Sequence, residues 1–62
     1  MKLYRYDQNG IYAGSLMAEV NRRATARLGV TTYFSYPSTT VQAPPTDEVG
    51  RYRWDGYTWK AI

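Results

Sequence analysis

The sequence predicts a mainly β fold: a small antiparallel sheet built from two hairpins, with about four or five strands in one module spanning residues 1–62. Two patterns lead to this fold class. The C-terminal segment alternates aromatic with basic residues around Asp55-Gly56, and the N-terminal segment carries tyrosines on both sides of an Asp-Gln-Asn-Gly turn. Length is the third observation, because a chain this short forms one domain at most and buries only about 60% of its unfolded surface.

The C-terminal hairpin, Arg51 to Lys60, carries both tryptophans. Its Asp55-Gly56 dipeptide favours a two-residue type I′ turn, in which both central residues need a positive φ. Such a turn pairs aromatic residues across the two strands, Trp54 with Tyr57 and Tyr52 with Trp59. Because side chains alternate between the faces of a strand, all four rings are expected on one face. The other face then carries Arg51, Arg53, Thr58 and Lys60.

The N-terminal hairpin begins with a strand over Lys2 to Tyr6. Asp7 at the first turn position and Gly10 at the fourth fit a type I turn closed by a glycine bulge. The alternative is a two-residue turn at Asn9-Gly10, which sends Tyr12 to the opposite face. We favour the bulge, because it pairs Tyr6 with Tyr12 and gathers on one face the rings that a small core needs, Tyr4, Tyr6 and Tyr12.

The segment from 15 to 28 has a helical pattern. Its apolar residues recur every four positions, at Leu16, Val20, Ala24 and Leu28. Ser15 is the candidate N-cap, and Gly29 is the candidate for the left-handed residue that ends the helix. An irregular basic loop is the alternative, because Asn21 and Thr25 are mediocre helix formers. The sequence leaves a short helix at 15–28 and a loop both open.

A further strand is predicted over Val30 to Tyr36, where β-branched and aromatic residues follow one another. Pro37 ends this strand, because proline cannot donate to a ladder. Pro44-Pro45 then holds the chain extended and prevents a helix before the final hairpin.

Composition argues against most catalytic and metal chemistry. The chain has no cysteine and no histidine, so nucleophile–base pairs and zinc ligand sets lack their usual members. We therefore expect no enzymatic activity, no catalytic residue, no metal and no cofactor.

The net charge of +3 is too small to indicate a nucleic-acid partner. No apolar run approaches the ~20 residues of a membrane span, so no membrane partner is expected.

Two groups of residues are candidates for binding. The arginines at 22, 23 and 27 suit phosphate or an acidic protein surface, and the alternative is a solvated face of the helix or loop. The C-terminal aromatic residues suit stacking on sugars or bases, and the alternative is that they form the core. The candidate partner-binding residues are Arg22, Arg23, Arg27, Tyr33, Tyr52, Trp54, Tyr57 and Trp59.

The order of motifs along the chain resembles that of a known family. A tyrosine-rich strand leads into a turn, a proline- and threonine-rich segment follows, and a Trp-Asp-Gly motif with a second tryptophan closes the chain. These motifs are Leu3–Tyr6, Ile11–Ser15, Tyr36–Pro45, Trp54–Gly56 and Trp59. Their order resembles the small modules of tail proteins in tailed bacteriophages, particularly the N-terminal module of tail fibre assembly proteins. The resemblance has no counterpart for Val20–Tyr33.

The resemblance implies a phage tail or tail fibre accessory or assembly protein that binds a larger virion protein and is not a catalyst. It also implies a location in the host cytoplasm during assembly, and it leaves open whether the protein stays in the virion tail afterwards. Association with copies of itself, as a homo-oligomer, is a second expectation. The alternative function is a small β module that binds glycan or single-stranded nucleic acid through exposed aromatic residues and arginines.

Overall fold

Five antiparallel strands and one short helix make up the computed structural model, which describes all 62 residues. In chain order they are β1 (Lys2–Tyr6), β2 (Tyr12–Met17), α1 (Arg22–Leu28), β3 (Thr39–Thr40), β4 (Tyr52–Trp54) and β5 (Trp59–Ala61). The strands form a three-stranded sheet in the order β2-β1-β3 and a two-stranded sheet of β4 and β5. The predicted mainly β fold with two hairpins is therefore confirmed.

The turn between β1 and β2 is the predicted glycine bulge. The Asp7 carboxylate accepts hydrogen bonds from the backbone N–H groups of Asn9 and Ile11, at 2.8 and 3.0 Å. Gly10 has a φ of 82° and donates its N–H to the Asp7 carbonyl. Asp7 also donates its N–H to the Ile11 carbonyl at 3.0 Å, and Tyr6 pairs with Tyr12 as predicted. A separate shift of one residue follows, so that Arg5 lies opposite Gly14. This register places the tyrosines of both strands on the face that meets β4 and β5.

The turn between β4 and β5 differs from the predicted one. Trp54 pairs with Trp59, so four residues connect the strands instead of two. Gly56 has a positive φ of 100° but Asp55 does not, which excludes the type I′ turn. Instead, the Asp55 carboxylate accepts hydrogen bonds from the N–H groups of Tyr57 and Thr58, both at 2.8 Å, and closes a wider turn. The predicted pairs of Trp54 with Tyr57 and of Tyr52 with Trp59 are therefore wrong.

The helix is shorter than the predicted range of 15–28, because residues 15–17 belong to β2. Ser15 lies opposite Tyr4 in the β1–β2 ladder and is not a cap. Asn21 takes that role, and its side chain accepts from the N–H of Ala24 at 3.1 Å. Gly29 ends the helix with a φ of 76°, as predicted.

The strand predicted over Val30 to Tyr36 is also wrong, because only Tyr33 forms a bridge, with Val20. The remaining edge of β1 is taken by the two-residue strand β3, in which Thr40 lies opposite Tyr4. A side-chain hydrogen bond holds the turn that precedes β3, since the Thr39 hydroxyl donates to the carbonyl of Tyr36 at 2.7 Å.

The molecule has a small core and an elongated shape of 42 × 17 × 16 Å. Only six of its residues are buried, namely Leu3, Tyr12, Ala18, Ala24, Pro44 and Trp59. The two sheets meet where β2 contacts β4, and the Ile11–Arg53 bridge joins them. The single helix has seven residues, too few to cross a bilayer.

Candidate functional site

Trp59 is the centre of an aromatic cluster between the two sheets. Its ring centroid lies 5.3 Å from that of Tyr12, 5.2 Å from that of Trp54 and 6.4 Å from that of Tyr6. The side chain is only 6% exposed, and its indole N–H donates to the carbonyl of Gln42 at 2.7 Å. A ring with its faces covered and its N–H satisfied is part of the core and is not a stacking surface.

Tyr12 is the most deeply buried large side chain, with 1% exposure. Its hydroxyl donates to the Asp47 carboxylate, which ties the loop after Pro45 to β2. Burial and, secondarily, the neighbouring carboxylate raise the pKa of Tyr12 from 10.0 to about 12, because both disfavour the phenolate. The hydroxyl is therefore a structural donor across the physiological pH range.

The tip of the C-terminal hairpin is the exposed part of this end of the molecule. Tyr57 lies in the turn, away from the aromatic cluster, and is 87% exposed. The predicted basic face is exposed, with Arg53 opposite Lys60. Lys60 contacts Asp55 at 3.3 Å. The N–H groups of Thr58 and Tyr57, and then Lys60, hold the pKa of the Asp55 carboxyl below its usual value.

The opposite end of the molecule is a helical arm, residues 19–34, which leaves β2 and returns towards β3. Two backbone bonds close its base: Phe34 donates to the Glu19 carbonyl at 3.0 Å and Asn21 to the Thr32 carbonyl at 2.8 Å. The Thr25 hydroxyl accepts from the N–H of Thr32 at 2.9 Å. Because these hydrogen bonds lie within the arm and its only buried side chain is Ala24, the arm stands apart from the core.

The surface of the helical arm combines apolar and basic side chains. Its apolar residues are exposed by 43 to 64%, namely Val20, Leu28, Val30 and Phe34. Its three arginines are exposed and form no ion pair, since the two salt bridges of the chain lie elsewhere. An open hollow of about 570 Å³ is lined by Val20, Asn21, Arg22, Arg23 and Phe34. The arm thus offers both apolar contact and unpaired positive charge.

The eight candidate binding residues fall into two groups at opposite ends of the β1–β2 hairpin. The open end of the hairpin, where Lys2 pairs with Met17, leads into the arm with Arg22, Arg23, Arg27 and Tyr33. The turn end receives β4, because Trp54 donates to the carbonyl of Gly10 at 2.8 Å. This end holds Tyr52, Trp54, Tyr57 and Trp59. The structure therefore does not bring the arginines and the tryptophans together.

The sequence interpretation missed the exposed apolar residues of the arm. Val20 and Leu28 were assigned to the buried stripe of a long helix, and Val30 and Phe34 to a strand. The signal that could have identified them was their position, since they flank the arginines in a segment whose apolar residues do not form a complete apolar face.

A scan against protein-family models, a search of curated proteins and a search of solved structures each give no match to this chain.

Proposed function

We propose that this protein is a non-catalytic accessory or assembly protein of a phage tail or tail fibre, which binds a larger virion protein through its helical arm. The observation that carries the proposal is the surface of the arm, where four exposed apolar residues lie among three unpaired arginines. Arginine and large apolar residues are enriched at protein interfaces, whereas a surface that only faces water has little use for the apolar ones.

The exposed area is consistent with a surface that a partner covers. The chain exposes 4645 Å², whereas a monomer of its mass of 7.2 kDa typically exposes about 4,100 Å². The excess of about 500 Å² is of the same order as the ~800 Å² that one partner buries in a standard interface. An elongated molecule with six buried residues would gain stability from such a contact.

Charge indicates the nature of the partner. Four of the five carboxylates already have contacts within the chain: Asp7 and Asp55 close turns, Asp47 accepts from Tyr12, and Glu48 contacts Arg51 at 3.6 Å. The remaining one, Glu19, belongs to the arm itself. The positive charge of the arm is therefore best complemented by an acidic surface on a different protein.

The motif order is the reason for assigning the partner to a phage tail. The tyrosine-rich opening, the Pro/Thr middle segment and the Trp-Asp-Gly close resemble tail fibre assembly modules, and the arm is the part that this resemblance does not cover. We interpret the arm as the element specific to this chain, inserted between shared elements of the module.

Co-expression tests the proposal directly. A tagged form of the protein is produced together with each tail and fibre protein encoded at the same locus, and the complexes are purified. We expect one of these proteins to co-purify, and the protein to occur in assembling or finished particles. Failure to co-purify with any of them, together with absence from particles, would rule the proposal out.

A second candidate function, binding of glycan or single-stranded nucleic acid, is favoured by one observation. Tyr57 is exposed at a tip that also carries Arg53 and Lys60, and one ring beside two cations can stack on a sugar or a base. This candidate is tested by titrating Tyr57→Ala and the unchanged protein separately with oligosaccharides and oligonucleotides. Binding that is equal in both proteins, or absent in both, would reject it.

A further inference from the structure

The segment Thr31 to Ser35, where the chain returns from the arm towards β3, has one paired edge and one free edge. Two backbone bonds flank the Val20–Tyr33 bridge, from Asn21 to the Thr32 carbonyl and from Phe34 to the Glu19 carbonyl. In an antiparallel ladder this pattern marks a non-hydrogen-bonded pair. The N–H and C=O groups of Tyr33 therefore point away from Val20, towards the other edge.

The other edge carries a row of backbone groups without partners in the chain. The N–H and C=O groups of Thr31, Tyr33 and Ser35 form no hydrogen bond with any other residue. Their sequence context is that of a strand, rich in β-branched and aromatic residues. The segment thus has the composition of a paired strand and the hydrogen-bonding capacity of an open sheet edge.

A groove runs beside this free edge. It has a volume of about 460 Å³ and lies between the segment 31–36 and β3. Its apolar and aromatic lining comes from Met1, Leu3, Tyr33, Phe34, Tyr36 and Val41, and its remaining lining from serine and threonine. No acidic or basic side chain lines it. The groove therefore suits uncharged side chains.

We propose that the free edge of Thr31–Ser35 is a docking site for an extended, uncharged segment of a partner protein, which adds to it as a further β-strand. The unpaired N–H and C=O groups supply the backbone contacts, and the groove receives alternate apolar side chains of the added strand. The inference rests on the proposed function, because it assigns the added strand to the larger partner protein. The arginines of the arm then contact acidic groups of that partner around the strand.

A second copy of this chain is a poorer occupant than a different protein. Pairing of two such edges brings two arms side by side, and each arm carries Arg22, Arg23 and Arg27 with Glu19 as its only carboxylate. Like charges at this density oppose association. A partner with an acidic rim around an apolar strand has no such conflict.

The test uses the full chain labelled with ¹⁵N and a blocked seven-residue peptide of alternating threonine and valine. We expect the peptide to shift the amide resonances of Thr31, Tyr33 and Ser35 and to slow their hydrogen exchange. The same peptide with glutamate in place of valine should bind at least tenfold more weakly, because no lysine or arginine side chain lines the groove to pair with a buried carboxylate.

Ser35→Pro with Ser35→Ala forms a matched pair of variants. Both remove the hydroxyl, but only proline removes the N–H, and proline is tolerated at an edge that does not pair within the chain. Ser35→Ala should bind the peptide as the unchanged protein does. Ser35→Pro should bind about fivefold more weakly, the value of one net backbone hydrogen bond. If Ser35→Pro fails to fold, Val41→Lys replaces it as the test variant. Val41 is exposed and lines the groove, so the new ammonium group should weaken binding of the valine peptide.

Three results would overturn the inference: no shift at the edge residues with the valine peptide, equal binding by Ser35→Pro and Ser35→Ala, or dimers of the free protein that already protect these amides. Shifts confined to the arginines, or produced by anionic vesicles or oligothymidine alone, would overturn it in favour of a lipid or nucleic-acid partner. Edge binding by the peptide, with no tail protein co-purifying and no copy of the protein in particles, would keep the strand site and reject the phage assignment, so the two failures are distinguishable.

Discussion

Tyr12 links three parts of the molecule through one side chain. Its ring packs on Trp59 of the second sheet, and its hydroxyl donates to Asp47 in the loop that precedes β4. Because only six residues are buried, the loss of one such contact removes a large share of the core. Stability at the residue scale therefore depends on Tyr12 more than on any surface ion pair.

Tyr12→Phe should reveal the raised pKa of this hydroxyl. The pKa of Tyr12 is about 12 in the folded protein and 10.0 in the unfolded chain, so folding favours the protonated hydroxyl. The free energy of unfolding that this hydroxyl contributes is complete below pH 10 and is lost as pH rises to 12. Denaturant unfolding of the unchanged protein should lose up to about 1.4 kcal/mol per pH unit in this window. Tyr12→Phe should be about 1 kcal/mol less stable at neutral pH and lack this part of the slope. Identical slopes in both proteins would contradict the role of the hydroxyl.

Gly10→Ala should be more destabilising than Gly56→Ala. Both glycines have positive φ, so alanine costs about 1 kcal/mol of strain at either position. At Gly10 the new Cβ also comes 3.0 Å from the backbone oxygen of Trp54, whereas at Gly56 nothing lies within 4 Å. Crowding of this kind adds about 1–3 kcal/mol. Thermal unfolding measures both variants, and equal losses would mean that the turn does not contact β4 as described.

The helical arm is the element held by the fewest contacts. Its helix has seven residues, below the ~12 that are marginal in isolation, and only Ala24 of it is buried. The Asn21 cap, two backbone bonds and the Thr25–Thr32 pair hold the arm closed. We expect such an element to open locally without unfolding the sheets.

Thr25→Val tests whether the arm opens as a separate unit. Valine has the shape of threonine but neither accepts from the Thr32 N–H nor donates to its carbonyl, which should cost about 1–2 kcal/mol. Amide exchange should become faster throughout residues 22–34 and stay unchanged in β1 and β2. Thr31→Val is the matched control, because the Thr31 hydroxyl has no hydrogen bond. Faster exchange in the sheets as well would show that the arm and core are one cooperative unit.

Local turn chemistry explains which elements could be predicted. The Asp7–Gly10 bulge followed from residues that are all within the turn, and its register was right. At Asp55-Gly56 the same reasoning failed, because the carboxylate can satisfy the N–H groups of residues 57 and 58 and so stabilise a wider turn. The dipeptide alone does not distinguish a two-residue from a four-residue connection.

Long-range pairing explains the errors in the middle of the chain. Ser15, Leu16 and Met17 fit a helix locally, but β1 offers them a ladder, and tertiary pairing overrides a weak propensity. The strand-forming residues 30–36 find no complementary ladder, because β3 occupies the available edge of β1. The arginines of the candidate site were identified from charge alone. The apolar residues beside them were not, because their exposure depends on this pairing.

At the scale of the whole molecule, the two ends differ in character. The C-terminal end holds the aromatic cluster and both salt bridges, whereas the arm end holds unpaired arginines and exposed apolar side chains. Five residues of β1 separate them by about 17 Å at ~3.3–3.4 Å per residue. One end therefore stabilises the fold, and the other leaves apolar and positively charged side chains exposed.

Tryptophan fluorescence should report the buried character of the aromatic end. Trp59 is buried and Trp54 packs on it, so the emission of the free protein should be blue-shifted and resistant to acrylamide. The emission should move to the red on unfolding and stay unchanged when oligosaccharides or oligonucleotides are added. Emission like that of indole in water would mean that the cluster is open and could serve as a stacking surface.

Charge reversal at the two ends tests most directly whether the arm is the binding surface. Arg22→Glu with Arg23→Glu changes the arm, and Arg51→Glu with Arg53→Glu reverses two exposed arginines at the other end, where Arg51 also loses its contact with Glu48. Both double variants should fold, and calorimetry measures the affinity of each for any tail protein that co-purifies with the unchanged chain in the co-expression test. We predict that the arm variant loses most of its affinity while the hairpin variant keeps it. Equal affinity of both variants, or loss only in the hairpin variant, would contradict the account.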